Sequence, residues 1–249
     1  MPALFFEQKD HPITQLSARH WREFPLAGAA LRDAFGENLD WVGDAVAVPV
    51  SPSSLHALPG GPVRVMAQNG ELGAPVTWNG CNGYLTAGHV GQSLNEEAYD
   101  ENHGNIGKVV FVRTANAIQP QGCAGSSVDV AIIKLYPGLQ HGYRYSIGIP
   151  QPNDTVVVHT RRGMEIAQIY GAARWWYVSK VGVTLTEVYL SSRGVTEEGD
   201  SGGPVLLARS KGQIIGSIVS GGTATSCFQD IAHQLSEIRK DPNFQNIRL

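Results

Sequence analysis

Apolar residues in this chain fall in short runs separated by glycine, proline and polar turns. Val63–Ala67, Pro75–Trp78, Tyr84–Thr86, Val109–Arg113 and Val128–Leu135 read as strands, because β-branched and aromatic residues dominate them and turn formers bound them. A second set begins after Pro150-Gln151-Pro152: Thr155–His159, Glu165–Tyr170, Trp175–Val178, Val183–Leu190, Val205–Leu207 and Ile214–Val219. Asp230–Lys240 changes period and predicts one amphipathic helix. Upstream, helix-like pieces lie around Ser17–Phe24 and Ala27–Phe35, and Pro49–Pro62 reads as a linker or long loop. Strands at short intervals followed by a terminal helix predict two packed β-barrels, and no internal repeat is visible.

Composition narrows the class. In 249 residues there are 29 glycines and only 16% charged residues, which suits a turn-rich β protein better than a helical bundle. The net charge is −3 with no basic run, so neither nucleic acid nor an anionic membrane is an expected partner. No stretch reaches the roughly 18 apolar residues of a membrane helix. Met1–Asp10 lacks a basic start, an apolar run and a small-residue cleavage site, so no export signal is expected.

Candidate chemistry lies in three frames, in the order histidine, aspartate, serine: Thr86-Ala87-Gly88-His89-Val90, then Asp129-Val130-Ala131-Ile132-Ile133-Lys134-Leu135, then Glu198-Gly199-Asp200-Ser201-Gly202-Gly203-Pro204-Val205. A serine hydroxyl is a poor nucleophile at neutral pH. It needs a base to take its proton, and the base needs an acid to hold its tautomer. Gly199 lets the backbone turn so that its N–H and that of Ser201 can point at one developing oxyanion. Gly202 and Gly203 keep side chains away from the approaching carbonyl. The serine frame also matches G-x-S-x-G, the nucleophile elbow of α/β-hydrolases. That fold requires serine, acid, histidine in this order, and too little chain follows Ser201 to supply it.

These frames, with Gly216-Ser217-Ile218-Val219-Ser220-Gly221-Gly222, resemble those of the chymotrypsin/trypsin superfamily of serine proteases, bacterial streptogrisin-like members more than digestive ones. The resemblance covers roughly residues 60 to 235. It implies an all-β fold of two six-stranded antiparallel β-barrels with a C-terminal helix and an N-terminal extension containing short helices. The implied division is 1–45 extension, 46–148 first barrel carrying His89 and Asp129, and 149–249 second barrel carrying Ser201. It further implies Ser201 as nucleophile, His89 as base, Asp129 as orienting acid and the N–H groups of Gly199 and Ser201 as oxyanion hole. Ser220 would hydrogen-bond Asp129, and Gly222 would pair with extended substrate. The first specificity pocket would be walled by Val195, Thr196 and Glu198 and by Ser220-Gly221-Gly222. With no acid at Val195 or Thr196, an apolar or small residue is expected there rather than Lys or Arg.

Departures from the family pattern are informative. Val90 and the stretch Gly194–Glu197 stand where relatives carry the disulfide partners of Cys81 and Cys227, which suits a reducing compartment and a cytoplasmic location. No Ile-Val-Gly-Gly-like start is present to pair with Asp200, so Arg161 or Arg162 is the candidate internal substitute, against a reading of both as solvated turn charges. The extension either packs across the fold or regulates access. Asn95–His103 is acidic where some relatives bind calcium, but without fixed ligand spacing it reads as a solvated loop. Trp175-Trp176-Tyr177 reads as core or sheet edge.

The resulting expectation is a serine endopeptidase working through an acyl-enzyme on protein or peptide substrates, without metal or cofactor. A regulatory protein partner is a further expectation for a protease inside the cell. A non-catalytic binding protein on the same scaffold, or an esterase or acyltransferase with the same three groups, are the alternatives.

Overall fold

The computed structural model describes residues 59–100, 104–117, 125–141, 144–178, 182–210, 212–221 and 224–249. The extension with its two helix-like pieces, most of the 49–62 loop, Cys123 and Gly222 lie outside the described residues.

The first sheet contains β1 (Pro62–Val65), β2 (Gln68–Glu71), β3 (Pro75–Trp78), β4 (Cys81–Thr86), β5 (Glu97–Asp100), β6 (Gly104–Arg113) and β7 (Val130–Leu135). A short helix, α1 (Gly88–Gly91), follows β4. Strand order is β2-β1-β5-β6-β7-β4-β3. That makes seven strands where six are expected. The difference is a bend: β2 and β3 form one continuous run, with β2 pairing to β1 and β3 to β4. At the bend, Gly73 N–H donates to Leu85 O at 2.7 Å and Leu85 N–H to Ala74 O at 2.9 Å. One bent strand therefore closes the ring. Asn79 and Gly80, both with positive φ (46° and 75°), form the two-residue turn joining β3 to β4, the geometry that favours Asn-Gly in hairpins.

The second sheet contains β8 (Ser146–Ile147), β9 (Thr155–Thr160), β10 (Gly163–Val178), β11 (Val183–Ser191), β12 (Pro204–Leu207), β13 (Gln213–Ser220) and β14 (Cys227–Asp230). Order β12-β9-β10-β11-β14-β13, with β12 also pairing β13, is a closed six-stranded barrel. β8 adds in parallel to the outside of β13. Each barrel has its own apolar core, one around Val65, Tyr84, Ile106 and Ile133, the other around Val158, Ile169, Leu207 and Phe228. Burying side chains of this size contributes about 1.5–3 kcal/mol each.

α2 (Ile231–Ile238) begins where expected, with the Asp230 carboxylate accepting the His233 N–H at 2.8 Å as its N-cap. Its Ile231, Leu235 and Ile238 belong to a third cluster with Trp78, Phe111 and Ile132 of the first barrel and Leu206 and Ile214 of the second. Beyond it, Arg248 exchanges backbone hydrogen bonds with Thr77 at 2.8 and 3.1 Å. The end of the chain thus fastens onto the first sheet.

Two expectations need correction. Glu97–Asp100 is a strand rather than part of a solvated loop, because it pairs with both β1 and β6 and buries Ala98 and Asp100 on one face. Glu165–Tyr170 and Trp175–Val178 are one 16-residue strand, β10, whose register shift near Gly171 hides the continuity. Of the two readings of Trp175-Trp176-Tyr177, core or sheet edge, the edge holds: these residues pair with β11 and not with β9, and Trp175 and Trp176 are 51% and 37% exposed.

Candidate active site

Pairing of β4 with β7 sets the first half of the site. Thr86 lies opposite Ala131, so the residues just after β4 and just before β7 meet at the same edge. Gly88 is required there, since a Cβ would stand 2.0 Å from Arg113 O and 2.8 Å from Asp129 Oδ1. The His89 backbone N–H donates to Asp129 Oδ1 at 2.9 Å, and His89 Nδ1 lies 2.5 Å from Asp129 Oδ2. With a carboxylate as acceptor, Nδ1 carries the proton and Nε2 is left as the basic nitrogen. Asp129 is buried while the His89 side chain is half-exposed. Burial pulls the His89 pKa down, but the hydrogen bond to Asp129 and its charge outweigh it and hold the imidazole above its ordinary value.

The second half is the turn Glu197–Gly203. Asp200 is fully buried and organises it, its carboxylate accepting the Arg161 N–H at 2.9 Å and the Glu197 N–H at 2.8 Å. Arg161 thus meets Asp200 through its main chain, and its side chain lies along Gly199. Arg162 turns the other way, to Glu197 and to the Val195 carbonyl. Gly199 and Gly202 both have φ of +97°, a conformation open to glycine and strained for other residues. Gly202 N–H donates to Ile218 O and Ile218 N–H to Gly203 O, tying the turn to β13. Among the described residues, neither the Gly199 N–H nor the Ser201 N–H donates to another protein group.

Contacts between the barrels join the halves. Glu71 N–H donates to Ser201 O at 2.8 Å. A Cβ on Gly202 would lie 2.5 Å from Thr86 Oγ1 and 3.0 Å from Ala87 N, so the serine turn rests on the segment leading into His89. Behind Asp129, Gln229 Oε1 accepts the Asp129 N–H at 2.9 Å, and Gln229 Nε2 donates to the carbonyls of Ser127 and Thr186, each at 2.9 Å. The arrangement sets a hydrogen-bonded imidazole in the first barrel and, in the second, a serine turn whose Gly199 and Ser201 N–H groups donate to no described protein group; among the described residues no hydrogen bond joins His89 to the Ser201 hydroxyl.

Of the expected pocket residues, Val195 and Thr196 are buried and Glu198 is exposed. Ser226 Oγ accepts the N–H of both Val195 and Thr196, at 2.9 and 3.1 Å, and the Thr196 hydroxyl at 2.7 Å. Gly221 packs on Thr196, where a Cβ would stand 2.3 Å from Oγ1. Ser220 ends β13, and among the described residues its hydroxyl makes no hydrogen bond to Asp129. Gln229 holds the backbone of Asp129 instead.

Sequence reasoning missed Glu71, Ser226 and Gln229. Glu71 is fully buried, and both its carboxyl oxygens lack a hydrogen-bond partner. Burial, then the nearby Asp200 charge, push its pKa well up against a smaller opposing pull from Arg161. The available signal was weak: a charged residue directly before the apolar Leu72.

No family model and no curated protein matches the sequence. Solved structures match in fold. Nocardiopsis protease superposes with a TM-score of 0.57 at 20% identity, over 78% of this chain and 99% of that one. Protease A of Thermobifida fusca gives 0.56 at 19% identity, over 74% and 96%. Cellulomonas bogoriensis chymotrypsin gives 0.56 at 17% identity, over 78% and 98%. The chain therefore has the chymotrypsin-like double β-barrel fold.

Proposed function

We propose that this chain is a serine endopeptidase acting on protein or peptide substrates. The observation that carries the reading is the His89–Asp129 pair, with Nδ1 2.5 Å from Oδ2, set against a serine turn whose two adjacent N–H groups are unclaimed by the described residues. In this mechanism Ser201 Oγ attacks the peptide carbonyl as His89 Nε2 takes the hydroxyl proton. The oxyanion is held by the N–H groups of Gly199 and Ser201. The C–N bond then breaks, the proton passes from His89 to the leaving amine, and an acyl-enzyme remains. Water, deprotonated by His89, releases the acid and restores Ser201.

We assign the side chain on the acyl side of the cleaved bond to the wall formed by Val195, Thr196 and Gly221. Neither Val195 nor Thr196 carries a charge to pair with Lys or Arg, so small or apolar residues fit it best. The reading extends to a reducing compartment, supported by Cys81 and Cys227 standing as free thiols. No helix among the described residues is long and apolar enough to cross a membrane.

Labelling of purified protein with a fluorophosphonate probe tests the proposal, beside Ser201→Ala and His89→Ala. Loss of labelling in both variants supports it. A wild-type protein that does not label, and does not cleave a peptide library, overturns it.

A further inference from the structure

A cavity of about 380 Å³ opens beside the serine turn, and its walls include Arg64, Asn69, Gly70, Tyr99, Asp100 and Arg161. Two contacts fix its place. A Cβ on Gly70 would stand 2.7 Å from Ser201 O and 2.6 Å from Val90 Cγ2, so this wall touches both the serine and the histidine segments. Arg161 lies along Gly199, with Cδ and Nη1 each 2.9 Å from where a Cβ would be. The cavity thus borders the serine turn on the side of Gly70 and Arg161, and it shares no lining residue with Val195, Thr196 and Gly221.

We propose that this cavity receives the part of the substrate that follows the cleaved bond and selects an acidic side chain there, with Arg64 as the specificity-determining residue. The inference rests on the peptidase reading above. With the acyl half assigned to Val195, Thr196 and Gly221, the amine half is left to this cavity.

Charge gives the selection its sign. Arg64 and Arg161 line the cavity with one carboxylate, Asp100, which is buried in the wall; Asp100 and Arg161 each have a further partner, so Arg64 is the cation that sets the sign. Asn69, Tyr99 and Gly70 are neutral. Arg64 sits on β1 between buried Val63 and Val65, so strand alternation turns it outward. Its guanidinium lies over the Tyr99 ring, 5.6 Å from the centroid, and the Tyr99 hydroxyl is anchored by donating to Glu97 at 2.7 Å. A stacked guanidinium loses less freedom on binding, and its planar fork matches a carboxylate with two parallel hydrogen bonds. A basic side chain in the same place would meet the like charge of Arg64.

The test uses three peptides with one acyl half that the enzyme cleaves, carrying Asp, Ala or Lys directly after the bond. A methyl ester of the same acyl half, whose leaving group is small, uncharged and carries no side chain, serves as control. Expected is a kcat/KM for Asp about fivefold above that for Lys at low salt, fading as salt screens it. Arg64→Ala abolishes the preference, Arg64→Glu reverses it, and both variants hydrolyse the ester at the wild-type rate. Equal cleavage of the three peptides by an enzyme that turns over the ester overturns this proposal. So does a preference untouched by Arg64→Glu. Failure of the wild type on ester and peptides alike overturns the peptidase reading instead.

Discussion

The backbone N–H of Glu71 donates to the carbonyl oxygen of Ser201 at 2.8 Å, and the Glu71 carbonyl accepts the Thr86 hydroxyl at 2.9 Å. One residue of the first barrel therefore holds both the serine turn and the strand that leads into His89. Its side chain is buried under the same turn, where Oε2 lies against Gly203.

That buried carboxyl has a pH signature. Its folded-state pKa is raised by burial, then by Asp200, so its stabilising contribution is complete below the unfolded carboxylate range. The contribution is lost as pH rises from there through the folded-state value. Glu71→Gln keeps the shape and removes the ionisation. Melting curves from pH 4 to 9 are expected to coincide with wild type at the acid end. At the alkaline end the variant melts about 2–4 °C higher, the shift of roughly 1 kcal/mol in a chain of this size.

A second outcome concerns the rate profile. His89 is the proposed base and works when neutral, so kcat/KM rises through its folded-state pKa. The hydrogen bond and charge of Asp129 outweigh burial and place that limb above the ordinary 6.5, higher than an unperturbed histidine gives. In Asp129→Asn only burial remains, and it acts downward. The limb is expected to move below 6.5, with kcat down about 10⁴-fold because the amide favours the wrong tautomer. A pH–rate series on both proteins measures this.

Gln229 is fully buried and makes two hydrogen bonds across the barrel interface, to Asp129 and Ser127, and a third to Thr186 of its own barrel. Gln229→Leu leaves the buried Asp129 N–H without its partner, while the Ser127 carbonyl keeps the N–H and hydroxyl of Thr186, and an expected loss of about 2–3 kcal/mol follows. Urea unfolding gives the stability. Fluorophosphonate labelling below the unfolding midpoint is expected to be slower too, since Asp129 loses its backbone anchor.

Gly202→Ala sets a Cβ 2.5 Å from Glu71 O and Thr86 Oγ1 at a φ of +97°. Neither contact can relax without parting the serine turn from the His89 segment. The variant is expected to keep its far-ultraviolet circular dichroism and lose probe labelling.

The two described thiols differ. Burial pushes the Cys227 pKa up to about 12, so little thiolate exists near pH 8. Peptide mapping after brief iodoacetamide treatment is expected to find Cys81, which is half-buried, modified well before Cys227.

What was legible in the sequence was what local chemistry dictates. His89, Asp129 and Ser201 each sit in a frame whose glycines and apolar neighbours serve the geometry of that residue, so the frames announce them. Most strands are visible because their β-branched residues and flanking turns are contiguous. Roles assigned by distant partners were hidden. Gln229 contacts Asp129 from 100 positions away, and nothing in Cys227-Phe228-Gln229-Asp230 marks the glutamine as a clamp. Glu71 looks like an ordinary polar strand end until the serine turn is laid over it. Glu97–Asp100 reads as an acidic loop because strand pairing on both sides, not composition, makes it β5. Arg161 was chosen for its charge, yet its main-chain N–H meets Asp200.

The clamp formed by Gln229 also has a meaning in time. Synthesis runs from the N-terminus, so the histidine and its acid leave the ribosome long before the glutamine that secures the acid, and before the serine itself. α2, which packs against both barrels, follows the serine in turn. A nascent chain holding only the first barrel has neither Ser201 nor an anchored Asp129. On the proposed peptidase reading it is therefore harmless to neighbouring polypeptides until the second barrel has been made.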